Sequence, residues 1–254
     1  MTTYLFFTGG YDSTYRLCEL LIKDKKQVQP IYITDPYLDN YTNNRTRRRN
    51  YSNEKKSQEK IIAKIKKMFP ECSNLLKDTI IVHKIPYDKE IELAMKDLKK
   101  RKYIRRSKCQ YGAMAQYCKN NKVNVEVCAE KNGHFERKLR NKIGNNNMFD
   151  IQKHPELVIF KHFELPLFNK TKEDMLNEAQ AYNFDELLRN TWSCWYPKKN
   201  KPCGKCIMCK ERIVPYIEGF QTLTAENTLF KKKEIYILLI ILLLLIATQF
   251  ISFA

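Results

Sequence analysis

Tyr4-Leu5-Phe6-Phe7-Thr8-Gly9-Gly10-Tyr11-Asp12-Ser13-Thr14-Tyr15 is the stretch on which the reading of this chain turns. A short apolar run over residues 4–8 ends in two glycines. Asp12-Ser13 then opens a segment in which Leu17, Leu20 and Leu21 recur at helical spacing. The chain has seven glycines, and here alone two stand together. A strand, a glycine turn and a helix N-terminus make an anion site. Glycine lets the backbone approach a phosphate, and the unpaired first-turn N–H groups lie at the positive end of the helix dipole. Thr8, Ser13 and Thr14 add hydroxyl groups. The spacing is neither G-x-x-x-x-G-K-[ST] nor G-x-G-x-x-G, which excludes a Walker loop and the dinucleotide fingerprint. A plain strand-to-helix turn capped by Asp12 is the alternative.

Outward from this stretch, five apolar, β-branched runs cover residues 4–8, 28–34, 79–83, 123–129 and 157–163. They alternate little, as strands buried on both faces of a parallel sheet do. Helical stripes separate them: Ile61, Ile62, Ile65, Met68 and Phe69, stopped by Pro70; Ile91, Ala94, Met95 and Leu98; Tyr111, Met114, Ala115 and Cys118. Alternation of this kind predicts an α/β fold with an open, doubly wound, parallel five-stranded sheet, whose ligands bind at the C-terminal ends of the strands. The segment 35–53, with Arg45 and Arg47-Arg48-Arg49, reads as a long polar loop, either a lid or a solvated excursion. A second basic run over residues 96–108 places Arg105, Arg106 and Lys108 before a helix, where Arg106 is a candidate ATP contact. Thr171, with Asp174 three residues on, is close to a capping box, and Met175, Ala179 and Tyr182 give the following stripe. Lys172 lies in that first turn, a position from which a phosphate recruits a lysine and which a surface lysine also occupies.

Charge is lopsided, with 46 Lys+Arg against 28 Asp+Glu and a net +18. That favours anionic partners without choosing among nucleotide, nucleic acid and membrane surface. Nine cysteines point to a reducing compartment, in which clustered thiols bind metal more often than they form disulfides. Cys194, Cys203, Cys206 and Cys209 follow C-x8-C-x2-C-x2-C, with Gly204 permitting the turn. Four thiolates suit a structural zinc with a closed shell, and an iron–sulfur cluster is the other occupant of such a set. Cys18, Cys72, Cys109, Cys118 and Cys128 are scattered and read as small core residues.

Thr8-Gly9-Gly10-Tyr11-Asp12-Ser13 resembles the Ser-Gly-Gly-x-Asp-Ser loop of ATP pyrophosphatases, with Thr8 in the first serine position. Together with Pro166-Leu-Phe-Asn-Lys-Thr-Lys-Glu173, Asn190-Thr-Trp-Ser-Cys-Trp195 and Pro202-Cys-Gly-Lys-Cys-Ile-Met-Cys-Lys-Glu-Arg212, it makes the chain similar to the 7-cyano-7-deazaguanine synthase family. The likeness covers most of residues 3–213. It implies an adenine-nucleotide hydrolase-like fold with a small zinc-ribbon appendage. It also implies a ligase that forms carbon–nitrogen bonds, in which ATP adenylates the carboxylate of a carboxydeazaguanine, ammonia gives an amide, and a second activation gives the nitrile. By that resemblance Thr8, Gly9, Gly10, Tyr11, Asp12, Ser13 and Thr14 hold the nucleotide, Lys172 meets a phosphate oxygen, and Asp12, Ser13 and Lys172 carry the chemistry. Magnesium is expected with the ATP, and the zinc is structural. Where the family has Asp-x-Ser-Gly-Tyr-Pro-Asp-Cys-Arg on the substrate side, this chain reads Cys128-Ala-Glu-Lys-Asn-Gly-His-Phe-Glu-Arg-Lys-Leu-Arg140. That departure predicts weak use of carboxydeazaguanine and a related or larger acid in its place, with Lys131, Arg137, Lys138 and Arg140 suited to extra anionic groups.

Residues 235–254 carry no charge and are dominated by Leu and Ile. As a helix they would extend ~30 Å, enough to cross a bilayer core. Lys231-Lys-Lys233 before them would leave the enzyme in the cytosol. A buried terminal core helix is the alternative. The expected organisation is an ATPase domain over residues 1–190, a zinc appendage over 191–213, a linker over 214–234 and a C-terminal transmembrane helix over 235–254. Expected partners are ATP, a small deazapurine-like carboxylate, an ammonia donor and a membrane. Nucleic acid is not favoured, and a homodimer is compatible with the sequence. Two further functions fit the same features: a tRNA-modifying enzyme with the same loop, and a catalytically silent, membrane-tethered nucleotide- or nucleic-acid-binding module.

Overall fold

A computed structural model describes residues 1–34, 50–83, 85–86, 88–105, 109–144 and 146–212. Two compact units divide the chain, residues 1–195 and 196–254.

The first unit holds a five-stranded parallel sheet. Its strands are β1 (Thr3–Phe6), β2 (Val28–Ile33), β3 (Ile80–Val82), β4 (Val125–Glu126) and β5 (Phe163–Glu164). Their order is β3-β2-β1-β4-β5, with every pair parallel. β1 is central, and Leu5, Phe6 and Phe7 are buried. The order runs outward from β1 in both directions, so the chain reverses its winding between β1 and β4. The C-terminal ends of those two strands therefore bound the crevice in which such sheets bind ligands.

The helices that connect and cover these strands are α1 (Tyr11–Cys18), α2 (Tyr51–Met68), α3 (Lys89–Lys100), α4 (Gln110–Asn121), α5 (His134–Leu139) and α6 (Lys172–Ala181), followed by the single turn α7 (Asp185–Leu188). α1 continues as a wider π-turn over Glu19–Lys23, which buries Leu20, Leu21 and Ile22. α2 starts at Tyr51, so the polar segment expected as far as residue 53 ends earlier. The reason is a buried stripe of polar residues, Asn53, Glu54, Ser57 and Gln58, which extends the Ile61 and Ile65 stripe toward the N-terminus. At α6 both halves of the capping box form: the Thr171 hydroxyl accepts from the Asp174 N–H, and Asp174 accepts from the Thr171 N–H at 2.8 Å.

The strand expected over 157–163 is corrected. Pro155–Phe160 forms a 3-10 helix, and pairing with β4 begins only at Phe163. Pro155 in the first turn pre-sets a helical φ, and Leu157, Ile159 and Phe160 are buried from that helix as they would be from a strand. Phe160 stacks on Phe163 with ring centroids 4.9 Å apart and meets Phe135, Phe149 and Tyr111 edge-on or tilted. The segment that departs from the family pattern is thus built into the core, with Phe135 stacked on Tyr111 at 4.2 Å and Leu139 fully buried.

In the second unit, Lys198 and Lys201 exchange both backbone hydrogen bonds at 2.9 Å around Lys199 and Asn200, which have positive φ. That is a two-residue hairpin turn. The helix α8 (Ile207–Glu211) follows. Among the described residues no helix is long and apolar enough to cross a membrane. The expected linker and transmembrane tail lie outside the described residues, as do Arg106, Lys108, Arg45 and Arg47-Arg48-Arg49.

Candidate active site

The loop leaving β1 is shaped by its own hydrogen bonds. The Thr8 N–H donates to Ser13 Oγ at 3.3 Å, the Ser13 hydroxyl donates to Gly10 O at 3.3 Å, and the Gly10 N–H donates to Thr8 Oγ1 at 3.3 Å. Gly9 has φ +71°, a conformation that side chains avoid. A Cβ there would also stand 3.1 Å from Gln58 Cγ and 3.2 Å from Glu54 O, so a side chain would crowd α2 as well. Gly10 caps α1, leaving the first-turn amides of Tyr11, Asp12 and Ser13 without intrahelical acceptors.

Residues far from this loop in sequence support it. Ser57 Oγ lies 3.0 Å from Gly9 O and 2.8 Å from Asn190 O, and Gln58 Nε2 donates to Phe7 O at 3.3 Å. The Trp192 N–H donates to Gly9 O at 2.8 Å. Asn190-Thr-Trp192 is therefore a strap on the glycine turn, and α2 is its floor. The polar residues of α2, recurring at helical spacing and followed by an apolar stripe, are the signal that could have revealed the floor.

Lys172, at the start of α6, reaches the loop from the other side. Its Nζ donates to Asp12 Oδ1 at 2.7 Å, lies 3.5 Å from Glu130 Oε1, and sits 5.3 Å above the Tyr11 ring. The Tyr11 hydroxyl points to Lys172 O at 3.5 Å, and burial pushes that phenol up to about 12, so it is neutral. Burial would lower the Lys172 pKa, but Asp12 and Glu130 overcome it and raise it, so the group is an ammonium. Glu130 moves the opposite way for an ion-paired carboxylate. Burial, then the adjoining Asp12 charge, push it up to about 7 against the pull of Lys172. The distances account for this: one ammonium is shared unequally between two carboxylates, and Asp12 holds the closer place.

The structure thus brings together Thr8, Gly9, Gly10, Tyr11, Asp12, Ser13 and Lys172 at the C-terminal end of the central strand. Thr14 differs from the others: it is fully buried with no partner for Oγ1 among the described residues, so its side chain presents no hydroxyl at the surface of the loop. Glu130 joins the site unannounced, from the loop after β4. Arg137, Lys138, Arg140 and Lys142, with Asn132 and Asn141, line a separate open cleft of about 670 Å³.

Four thiols meet within one short stretch of chain, residues 194–209. The Sγ atoms of Cys194, Cys203, Cys206 and Cys209 all lie within 4.8 Å of one another, with Cys206–Cys209 at 3.4 Å and Cys203–Cys209 at 3.9 Å. Tetrahedral Zn–S bonds of about 2.3 Å place sulfurs about 3.8 Å apart, so the set fits zinc. The Cys206 N–H donates to Cys203 Sγ at 3.4 Å, which orients that thiolate. Gly204 has φ +68°, the turn that lets Cys203 and Cys206 face one point. The other five cysteines form no disulfide; Cys18, Cys72 and Cys118 are buried and Cys109 and Cys128 half-buried.

No curated protein and no solved structure matches this chain. The family model of queuosine biosynthesis protein QueC matches residues 3–221, a span that takes in the glycine loop, the Lys172 segment and all four clustered cysteines. The chain belongs to the QueC family, the 7-cyano-7-deazaguanine synthase-like enzymes of queuosine-type 7-deazapurine biosynthesis.

Proposed function

We propose that this chain is an ATP-dependent, AMP- and pyrophosphate-forming ligase that activates the carboxylate of a 7-deazapurine acid, so that ammonia displaces AMP to give an amide, whose oxygen a second ATP then activates and carries off as AMP to leave the nitrile. The observation that carries this reading is the meeting of the glycine loop, Asp12 and Lys172 at the end of β1. The first-turn amides of α1 and the Lys172 ammonium would take the pyrophosphate end of the nucleotide, with magnesium sharing the neutralisation. Ser13, once released from Gly10 O, would offer its hydroxyl to the same oxygens. None of these groups is placed as a nucleophile. The chain's contribution is to position the two anions and to compensate their charge as it moves onto the leaving pyrophosphate. A zinc held by the four cysteines would be structural, because four protein ligands leave it no open position.

Incubating the full chain with ATP, ammonium and carboxydeazaguanine or related deazapurine acids tests the reading. AMP, pyrophosphate and a nitrile detected by mass spectrometry are the expected products; ADP and inorganic phosphate would refute it. Metal analysis should find one zinc per chain, lost on Cys206→Ser. The uncharged stretch 235–254 supports a membrane anchor as part of the same proposal. Deleting it should turn a membrane-pelleting protein into a soluble one that keeps its ATP chemistry, and a full chain that stays in the supernatant without detergent would contradict the anchor.

A further inference from the structure

The site as it stands has a difficulty with its own ligand. Asp12 and Glu130 present two carboxylates to a single cation, Lys172, and among the described residues no other cation lies within 4.0 Å of either. A pyrophosphate adds more negative charge to the same crevice, and it needs the ammonium that the carboxylates already hold. The backbone that carries Glu130 is held in place. The Lys131 N–H donates to Lys170 O at 3.0 Å and the Gly133 N–H to Glu130 O at 3.1 Å, which closes a turn around the residue. Gly133 permits that turn, since a Cβ there would stand 3.0 Å from Glu130 O and 3.4 Å from its carboxyl carbon. Among the described residues, the groups that face Glu130 are Asp12 from α1, Lys172 from α6 and the half-buried, neutral Tyr111 from α4. Neither Asp12 nor Tyr111 can replace Lys172 as a counter-charge.

We propose that Glu130 is a proton-linked residue of the nucleotide site, which shares Lys172 with Asp12 before binding and takes up one proton from solvent when the pyrophosphate draws Lys172 away. The inference rests on the nucleotide reading above. In the step itself a Glu130 carboxylate and a solvent proton become a carboxylic acid, and Lys172 stays an ammonium throughout. Glu130 is already poised for it, since burial and Asp12 hold its pKa at about 7. Losing Lys172 and gaining a phosphate neighbour both raise it further. The sign of the pH dependence follows: the complex binds one more proton than the free protein, so raising pH above about 7 weakens nucleotide binding. The dissociation constant should rise toward tenfold per pH unit there, and level off below, where Glu130 is protonated before binding. Glu130→Gln is a permanently neutral isostere that removes a buried, partly paired charge, so it should fold.

Titration calorimetry of the full chain in mild detergent with magnesium α,β-methylene-ATP, in buffers of different ionisation enthalpy, reads the proton directly. Near pH 8 the wild type should take up close to one proton more than Glu130→Gln, and near pH 6 the two should agree. The variant should bind about tenfold more tightly than the wild type near pH 8, because about a tenth of wild-type Glu130 is protonated there before binding. Equal uptake by both proteins, no uptake by the wild type, or weaker binding by the variant near pH 8 would overturn the inference and leave the nucleotide reading standing. No binding by either protein would overturn both. The wild-type pH profile decides the matter even without the variant.

Discussion

Lys170 and Lys172 are two residues apart, reach the same helix α1, and do opposite things. Lys170 donates to Tyr15 Oη at 2.7 Å and to Glu19 Oε1 at 2.5 Å, and pairs with Glu178. Beside it Arg16 grips Glu126 with two bonds of 2.7 Å and Glu19 with one of 2.6 Å, and Lys23 pairs with Glu178. Asp24 joins through Arg16 and Lys26, so among the described residues Arg16, Lys23, Lys26 and Lys170 meet Glu19, Asp24, Glu126 and Glu178, one cation for each carboxylate. Against burial, which would raise them, hydrogen bonds from Lys170 hold Glu19 low with those of Arg16, and hold Glu178 at about 2 with those of Lys23 and Tyr15. Around Lys172 the count among the described residues does not balance, and Glu130 is left at about 7. The balanced set ties α1 to β4 and α6. The unbalanced set leaves Lys172 shared by two carboxylates, which is the ground for the proposed uptake of a ligand and a proton. Charge parity, more than burial or helix position, distinguishes the two lysines, and it is the ground on which Lys172 rather than Lys170 is proposed to meet the nucleotide.

The sharpest way to break this comparison is to remove each lysine in turn. Lys170→Met leaves Glu19 and Glu178 with too little positive charge, and should cost about 3–5 kcal/mol of stability by urea unfolding. A loss under about 1 kcal/mol would mean that the pair behaves as a surface salt bridge. Lys172→Met should instead lower turnover by about 10²–10³-fold, roughly 2.7–4 kcal/mol of transition-state stabilisation. Its unfolding free energy should change little, because Glu130 can take a proton in place of the lost ammonium. A Lys172 variant that fails to fold would erase the distinction.

Acid sharpens it further. Glu178 is depressed in the folded protein, so its contribution is complete above the ordinary carboxylate range near 4.5 and is lost as pH falls toward about 2. That loss should reach about 2 kcal/mol once solvent screening of a partly exposed group is allowed for. Glu130 is raised, so its effect has the reverse sign: stability falls as pH rises from near 4.5 through about 7. Unfolding followed from pH 2 to 8 should therefore show the wild type gaining stability from the acid side and giving some back toward neutrality. Lys170→Met should flatten the first limb, and Glu130→Gln should remove the second.

Much of this was legible in local patterns. The Gly9-Gly10 turn, the Thr171 capping box and the cysteine spacing each depend on residues within a short span of one another, and each formed as read. The five-stranded parallel sheet followed from alternating apolar runs, but most of the run over 157–163 became a 3-10 helix, because an apolar stretch that short fits a buried helix turn as well as a strand. The site roles of Glu130 and Ser57 escaped notice because their partners are far off in sequence, Lys172 for the first and Gly9 for the second, and the Trp192 segment was read as part of the resemblance without its contact to Gly9. The altered segment around Glu130 looked like the loss of a motif. In the fold it is a packed turn and helix that brings a carboxylate to the glycine loop.

The measurement that tests the account most directly is exchange of labelled pyrophosphate into ATP, run with the full chain, magnesium and a deazapurine carboxylic acid. Exchange that depends on the acid, and that falls at least about 100-fold in Asp12→Ala and in Lys172→Met but survives in whatever fraction of Lys170→Met remains folded, is the predicted result. Exchange that needs no acid, or ADP and phosphate released with no exchange at all, would contradict it.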